Sequence, residues 1–266
     1  GRTEYNKDSR FNGDKDFDGM WAIWDEEFMQ FYALQMNEMQ QPFATTIFTA
    51  SSHHPYNVPD RYKDVYRDEP GDDNIMHKCI RYVDHSLRRF FETAKQQPWY
   101  DNTIFVITAD HTNLSSYPEY QTDLGSFCVP IIIFDPQQQI QPQRRHGIAQ
   151  QIDIMPTVLN YVGYDRPYVA FGKDLLSTPD SATWAVNYTN GIYQYVKGDL
   201  ILQMTEDGQV SGLYDYKRDW LMKNNLKGQR PEQQSMKRQL KAIIQSYMQR
   251  MVNDQLTADG NKSSAK

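Results

Sequence analysis

The sequence predicts an α/β protein with a mostly parallel sheet, followed by a small antiparallel meander and a terminal helix. Consecutive apolar or β-branched residues at 104–108 and 129–134 are typical of strands buried on both faces, as in parallel sheets. A helical pattern over about 74–95 precedes the first of these strands. Three hairpin-turn signals within residues 184–214 predict the meander.

Composition limits the range of functions. With 266 residues, 39% of them hydrophobic, the chain can bury one large core or a main core with a smaller appendage. The net charge of −6 indicates no basic surface for a nucleic acid. The longest apolar run, residues 129–134, is far too short to be a transmembrane segment. Cys79 and Cys128 provide no disulfide framework and leave the cellular compartment open.

The first half of the chain supplies further predicted elements. Asp25 is the predicted N-cap of a helix, and residues 43–50 form a second predicted strand of the parallel sheet. On the helix at 74–95, Cys79 lies on the apolar stripe, where a thiol behaves as a small hydrophobe, and His85 lies on the polar face. The order strand, helix, strand predicts a right-handed βαβ unit.

The second half predicts a helix, a meander and a last helix. Asp153 is the predicted N-cap of the helix before Gly163. The meander strands are predicted at about 184–189, 192–197, 200–205 and 209–214. The last helix begins near Pro231, and its apolar stripe can pack on the meander or on a partner. Residues 258–266 form a predicted polar tail.

Two predicted strands end in residues that can do chemistry. The strand at 104–108 runs into Asp110 and His111, and the strand at 43–50 runs into His53 and His54. Because ligand sites in open α/β sheets lie at the carboxyl ends of the strands, we expect these side chains at one site. A carboxylate and an imidazole can form half of a divalent-metal site. The residues alone also allow a turn-capping carboxylate and ordinary loop imidazoles.

The order of several motifs resembles the sulfatase and alkaline-phosphatase superfamily. The string Asn-Thr-Ile-Phe-Val-Ile-Thr-Ala-Asp-His at 102–111 resembles its late metal-binding motif. Residues 129–133 and 151–159 resemble the elements that follow this motif. Gln-Pro-Phe at 41–43, followed by Ser-His-His-Pro-Tyr at 52–56, resembles the lipoteichoic acid synthase branch, the membrane-anchored phosphoglycerol transferases. The resemblance covers about residues 17–180.

The resemblance implies a three-layer α/β sandwich of the alkaline-phosphatase type. Residues 1–180 would be the C-terminal part of the catalytic domain, and residues 181–266 its small subdomain with an antiparallel sheet and a terminal helix. The implied cofactor is a divalent cation, Mn²⁺ or Mg²⁺ in the synthase branch and Ca²⁺ in sulfatases, with Asp110 and His111 as ligands. His53 matches the imidazole that contacts the phosphate or sulfate group, which makes it the implied catalytic and substrate-binding residue. His54 is a second candidate for substrate binding.

The sequence departs from the family pattern at one point. The family nucleophile, a Thr in the synthase branch or a modified Cys or Ser in sulfatases, lies well upstream of the Asp-His motif with a further acidic ligand. None of the residues before Asp110 shows that pattern. We therefore expect the C-terminal portion of a metal-dependent sulfatase-like or phosphoglycerol transferase enzyme, inactive alone, whose missing N-terminal half carries the nucleophile.

The implied substrate is an anionic phosphate or sulfate ester, such as a phosphoglycerol lipid, at the cell envelope. The implied location is the extracytoplasmic face of the cell membrane, with transmembrane helices outside this sequence. Two other functions stay open. One is a sulfuric ester hydrolase or phosphodiesterase with water as the acceptor, and the other is a non-catalytic binding module that retains the fold.

Overall fold

A computed structural model describes residues 1–258, which form five α-helices and six β-strands. The helices are α1 (Arg2–Lys7), α2 (Asp25–Gln35), α3 (His77–Ala94), α4 (Ile154–Tyr161) and α5 (Glu232–Val252). The strands are β1 (Phe105–Thr108), β2 (Ile131–Phe134), β3 (Trp184–Thr189), β4 (Ile192–Lys197), β5 (Leu200–Thr205) and β6 (Val210–Asp215). Short 3₁₀ helices include Met36–Glu38, Asp60–Tyr62 and Gln151–Asp153.

The chain divides into two compact units. Unit 1 comprises residues 1–105, 114–116 and 134–141, and unit 2 comprises residues 106–113, 117–133 and those from 142 onward. The predicted domain boundary between residues 180 and 181 stays a prediction. The predicted polar tail lies, beyond Ala258, outside the described residues. No helix within residues 1–258 is long and apolar enough to cross a membrane.

Unit 1 is organised by the packing of α2 on α3. Both helices present apolar side chains at intervals of three or four residues, which places those side chains on one face of each helix. The buried cluster between them contains Met29, Ala33, Met36, Phe90, Ala94, Trp99 and Tyr100. Cys79 is fully buried, as the sequence predicts, in a separate cluster with Val58 and Tyr82. His85, on the predicted polar face of α3, is half-buried, and its Nε2 lies 3.1 Å from the hydroxyl of Tyr62.

The strand predicted at 43–50 does not form. The segment is extended, and its side chains alternate between half-buried and exposed from 43 to 48, which is the period of two of an extended chain. Phe43 and Ile47 pack against the α2–α3 cluster, whereas Phe48 is 72% exposed. A strand also requires a neighbour for its backbone hydrogen bonds, and residues 43–49 have none in the described part of the chain.

The strands predicted before Asp110 and over 129–134 are confirmed as β1 and β2, which form a two-stranded sheet. Their predicted burial on both faces is wrong, since Ile132 and Phe134 are 51% and 37% exposed. A sheet of two strands covers little of either face, so alternate side chains remain in solvent. The α/β class therefore stands, and the larger, mostly parallel sheet of a three-layer sandwich stays a prediction.

The antiparallel meander in unit 2 is confirmed in the order β3-β4-β5-β6. Asn190 and Gly191 both have positive φ, the conformation that a two-residue type I′ hairpin turn requires. Trp184 pairs with Lys197 and Thr189 with Ile192, which gives a continuous antiparallel register between β3 and β4. Helix α5 packs on the meander through Met236 and Leu240, in a cluster with Tyr195, Leu200, Leu202, Met204, Val210 and Leu213.

Candidate active site

Asp110 and His111 follow the end of β1 after one residue, Ala109, where the sequence predicts them. Asp110 Oδ1 accepts a hydrogen bond of 2.8 Å from the backbone N–H of His111, which folds the carboxylate over the turn. Their side chains are 53% and 64% exposed. Both side chains are therefore accessible to a ligand from solvent.

The hydrogen bonding of His111 leaves one ring nitrogen able to bind a cation. Nδ1 lies 2.7 Å from the carbonyl oxygen of Thr112. Because a carbonyl only accepts, Nδ1 carries the hydrogen, and the lone pair of the neutral ring is on Nε2. This arrangement is the one that metal-binding histidines usually show, with the second ring nitrogen donating to a backbone carbonyl.

The two potential ligand atoms also have a suitable separation. Nε2 of His111 lies 3.3 Å from Oδ2 of Asp110. Two ligands about 2.1 Å from one divalent cation, in tetrahedral or octahedral geometry, are about 3.0–3.4 Å apart. The pair therefore fits as two ligands of such a cation. Within residues 1–258, no group of three or more His, Cys, Asp or Glu side chains is placed to hold a metal ion, so the pair is an incomplete site there.

Gln151 supports the Asp110 turn, a contact that the sequence analysis missed. Its side-chain amide donates to the carbonyl oxygens of Ala109 at 2.6 Å and Asp110 at 2.9 Å. Gln151 begins the short 3₁₀ helix before α4, where the sequence analysis found only a helix start. The one feature of the sequence that points to Gln151 is its place at the beginning of a capped helix. Its partner Asp110 lies 41 residues away in the sequence.

The start of α4 is itself held by several contacts. Asp153 forms a capping box with Gln150, and its Oδ1 accepts a hydrogen bond of 2.7 Å from the backbone N–H of Lys173. A Cβ at Gly172 would lie 2.0 Å from the carbonyl oxygen of Ile152, so only glycine permits this close approach. These contacts place Gln151 on a well-supported turn.

His53 and His54 lie in unit 1, on a turn against the indole of Trp21. The Trp21 ring is 4.3 Å from the ring of His53 and 5.5 Å from that of His54. Trp21 Nε1 donates a hydrogen bond of 2.7 Å to the carbonyl oxygen of His54. The Nδ1 atoms of the two histidines lie 3.0 Å apart, and both residues are exposed. The two imidazoles form the rim of a small pocket whose wall includes Asp18 and Trp24.

Asp25 does not cap α2 as predicted. The N-cap is Trp24, and Asp25 occupies the first turn of the helix. Its Oδ1 instead accepts hydrogen bonds from the backbone N–H groups of Ala50 at 3.0 Å and Ser51 at 3.2 Å. The carboxylate therefore binds the backbone that leads into the His53 turn. This role is not visible in the sequence, because N-cap preference is a local signal and the two partners lie 25 and 26 residues away.

The candidate residues fall in different units. His53 and His54 belong to unit 1, and Asp110 and His111 belong to unit 2. Each pair is assembled as described, and the expectation that all four share one site stays a prediction. Cys79, the buried cysteine, is a poor nucleophile because burial raises the pKa of its thiol to about 11.

The structure is thus an α/β fold in which β1 runs into an exposed Asp-His pair. The model of one protein family, Sulfatase, matches residues 2–164. The chain belongs to this alkaline-phosphatase-like sulfatase family.

Curated relatives carry the names of one branch of this family. Lipoteichoic acid synthase 1 of Bacillus subtilis (strain 168) is 27% identical over 194 residues, covering 66% of this chain and 30% of that protein. The lipoteichoic acid synthase of Staphylococcus aureus (strain USA300) is 26% identical over 231 residues, covering 75% of this chain and 35% of that protein. The chain thus spans about a third of the length of these relatives.

Solved structures support the fold. A crystal structure of a protein in the alkaline phosphatase superfamily from Vibrio parahaemolyticus has a TM-score of 0.72 at 23% identity and covers 91% of this chain and 58% of that one. The phosphonate monoester hydrolase of Agrobacterium radiobacter has a TM-score of 0.61 at 15% identity and covers 85% of this chain and 62% of that one. At these identities the likeness concerns the fold alone.

Proposed function

We propose that this chain carries part of the active site of a divalent-metal-dependent enzyme of the phosphoglycerol transferase type. In this proposal, Asp110 and His111 bind the cation, His53 binds the anionic group of the ester substrate, and His54 is its neighbour in substrate binding. The supporting observation is the 3.3 Å separation of His111 Nε2 and Asp110 Oδ2, together with the use of His111 Nδ1 on a backbone carbonyl. The names of the curated relatives support the branch of the family.

The chemistry of each residue follows from its atoms. A bound Mn²⁺ or Mg²⁺ ion would activate the nucleophile and offset negative charge on the transferred group. Asp110 contributes a negative oxygen and His111 a neutral nitrogen. His53 contributes an exposed imidazole, and a ring N–H of an imidazole can donate a hydrogen bond to a phosphate oxygen.

We propose that the reaction of the whole protein requires residues outside this chain. We assign the nucleophile to a part of the protein outside these 266 residues, which is consistent with the chain's covering a third of the relatives' length. The substrate class is a phosphate or sulfate ester such as a phosphoglycerol lipid, and the proposed location is the extracytoplasmic face of the cell membrane. The purified chain alone should therefore not turn over such esters.

A metal titration tests the proposal. Mn²⁺ binding to the chain, followed by electron paramagnetic resonance, should be weak but saturable, because two ligands of a larger set are present. Asp110→Ala and His111→Ala should each lower the affinity by at least about tenfold, since each removes a ligand. Asp165→Ala changes an exposed aspartate elsewhere in unit 2 and serves as the matched control. Equal Mn²⁺ affinity of Asp110→Ala and the unsubstituted chain would rule out the proposed metal site.

A further inference from the structure

We propose that Asp25 is a positioning residue for His53 and His54, and that it acts through a reciprocal clamp with Ser51. The inference rests on the proposed role of His53 in anion binding. It goes further by naming the residues that hold the imidazoles in place.

The clamp consists of three hydrogen bonds between the start of α2 and the His53 turn. Asp25 Oδ1 accepts from the backbone N–H groups of Ala50 and Ser51. In the opposite direction, Ser51 Oγ accepts a hydrogen bond of 3.1 Å from the backbone N–H of Asp25. Each residue thus satisfies a backbone donor of the other, as the two ends of a capping box do, but across 26 residues of sequence.

The clamp is buried. Asp25 is 2% exposed and Ser51 is 5% exposed, whereas the histidines two and three residues after Ser51 are exposed. Asp25 Oδ2 is also buried and has no hydrogen-bond partner among the described residues. Burial of an unpaired carboxyl oxygen costs free energy, which the two hydrogen bonds accepted by Oδ1 oppose. We infer that its main effect is to fix the backbone of the turn.

The hydrogen bonds of the clamp restrain the imidazoles through the backbone of the turn. The backbone N–H of His53 donates a hydrogen bond of 3.0 Å to the carbonyl oxygen of Ala50, the residue whose own N–H is bound by Asp25. Trp21 packs against the ring of His53, and its Nε1–H donates a hydrogen bond to the carbonyl oxygen of His54. The histidine turn is therefore held by both a buried carboxylate and an indole.

Substitutions at Asp25 separate positioning from general stability. Asp25→Asn keeps one oxygen that can accept both backbone hydrogen bonds, so it should preserve the turn. Asp25→Ala removes the acceptor and leaves two buried N–H groups unpaired. Asp16→Ala is the matched control, because Asp16 is another buried aspartate of unit 1, and its carboxylate binds Tyr5 and Asn12 instead of the turn.

The readout is the indole N–H signal of Trp21 in nuclear magnetic resonance spectra, assigned with Trp21→Phe. In Asp25→Ala, hydrogen exchange of this N–H should accelerate about tenfold or more, and the ring signals of His53 and His54 should shift. Asp25→Asn should restore both signals, and Asp16→Ala should leave both signals unchanged. The clamp is disproved if Asp25→Ala stays folded with unchanged signals, or if Asp16→Ala changes them equally.

A second measurement separates this inference from the proposed function. Inorganic phosphate is titrated against the chain while the ring signals of His53 are observed. In the unsubstituted chain and in Asp25→Asn these signals should move with phosphate, and in Asp25→Ala the response should weaken severalfold. If phosphate does not move them in the unsubstituted chain, the proposed role of His53 fails, and the clamp is then decided by the Trp21 signal alone.

Discussion

Gln151 is bound to Asp110 through its side-chain amide, which donates a 2.9 Å hydrogen bond to the carbonyl oxygen of that residue. The preceding residue, Gln150, bonds to the edge strand β3: its amide donates to Trp184 O at 3.1 Å and accepts from Val186 N at 3.2 Å. Two adjacent glutamines thus connect the Asp110 turn and the meander within unit 2. The supports of the candidate metal ligands come from the helix start, far from Asp110 in sequence.

Substitution of Gln151 should weaken metal binding without unfolding the chain. Gln151→Ala removes two hydrogen bonds from the turn that carries Asp110, and the loss of such outer contacts typically lowers metal affinity about 10- to 100-fold. Gln151→Glu should do the same, because an ionised carboxylate cannot donate to the two carbonyl oxygens. Mn²⁺ titration measures the affinity, and thermal unfolding verifies the fold. Unchanged affinity in both variants would show that the contact does not support the ligands.

Glu27 should make unit 1 less stable as the pH rises. Burial raises the pKa of Glu27 from its ordinary value of 4.5 to about 7, and the nearby Arg61 offsets only part of this effect. A group whose pKa is higher in the folded than in the unfolded protein stabilises the fold fully at pH values below its unfolded-state pKa. This stabilisation is lost as the pH rises through its folded-state pKa. Urea unfolding at pH 5, 6, 7 and 8 should therefore show falling stability, and Glu27→Gln should flatten the curve above pH 5.

Glu26 provides the control of opposite sign. Burial alone would raise its pKa, but hydrogen bonds from Arg61 and Tyr62 outweigh burial and lower it. Its contribution to stability is therefore present above pH 4.5 and is lost as the pH falls below that value. Glu26→Gln should keep most of the falling slope between pH 5 and pH 8, because burial is the largest cause of the raised pKa of Glu27 and the charge of Glu26 is a smaller one. If Glu26→Gln abolished the fall of stability with pH and Glu27→Gln did not, Glu27 would not be the group responsible.

Leu240 should be the most sensitive position of α5. It is fully buried where the helix packs on the meander, so Leu240→Ala should lower the free energy of unfolding by about 2–5 kcal/mol. Gln245 lies on the exposed side of the same helix, and Gln245→Ala should change stability by less than about 0.5 kcal/mol. Chemical denaturation of both variants gives the comparison, and equal losses would contradict the packing of α5 on the meander.

The meander was predictable because hairpins are local. Turn pairs such as Asn190-Gly191 specify a turn whose two strands are neighbours in sequence, so their register follows from the turn. The failure of the strand at 43–50 to form was not predictable. A strand of this kind needs a partner from a distant part of the chain, and composition does not reveal whether one is present. Asp25 and Gln151 were missed for a related reason: each binds backbone groups at least 25 residues away, and no local periodicity marks such a pair.

The extended segment at 43–50 should make this chain self-associate. Its eight residues carry no charge and no proline, its backbone lacks ladder partners in the described residues, and Phe48 is 72% exposed. Unpaired, uncharged β-prone segments of this kind pair with other copies. Phe48→Lys places a charge on the exposed side, away from the α2–α3 cluster that Phe43 and Ile47 contact, so it should reduce association and keep the fold. Light scattering coupled to size-exclusion chromatography measures the mass at rising concentration.

Thr46→Lys, also on the exposed side, should reduce association in the same way. An undiminished mass in both variants would place the association surface elsewhere.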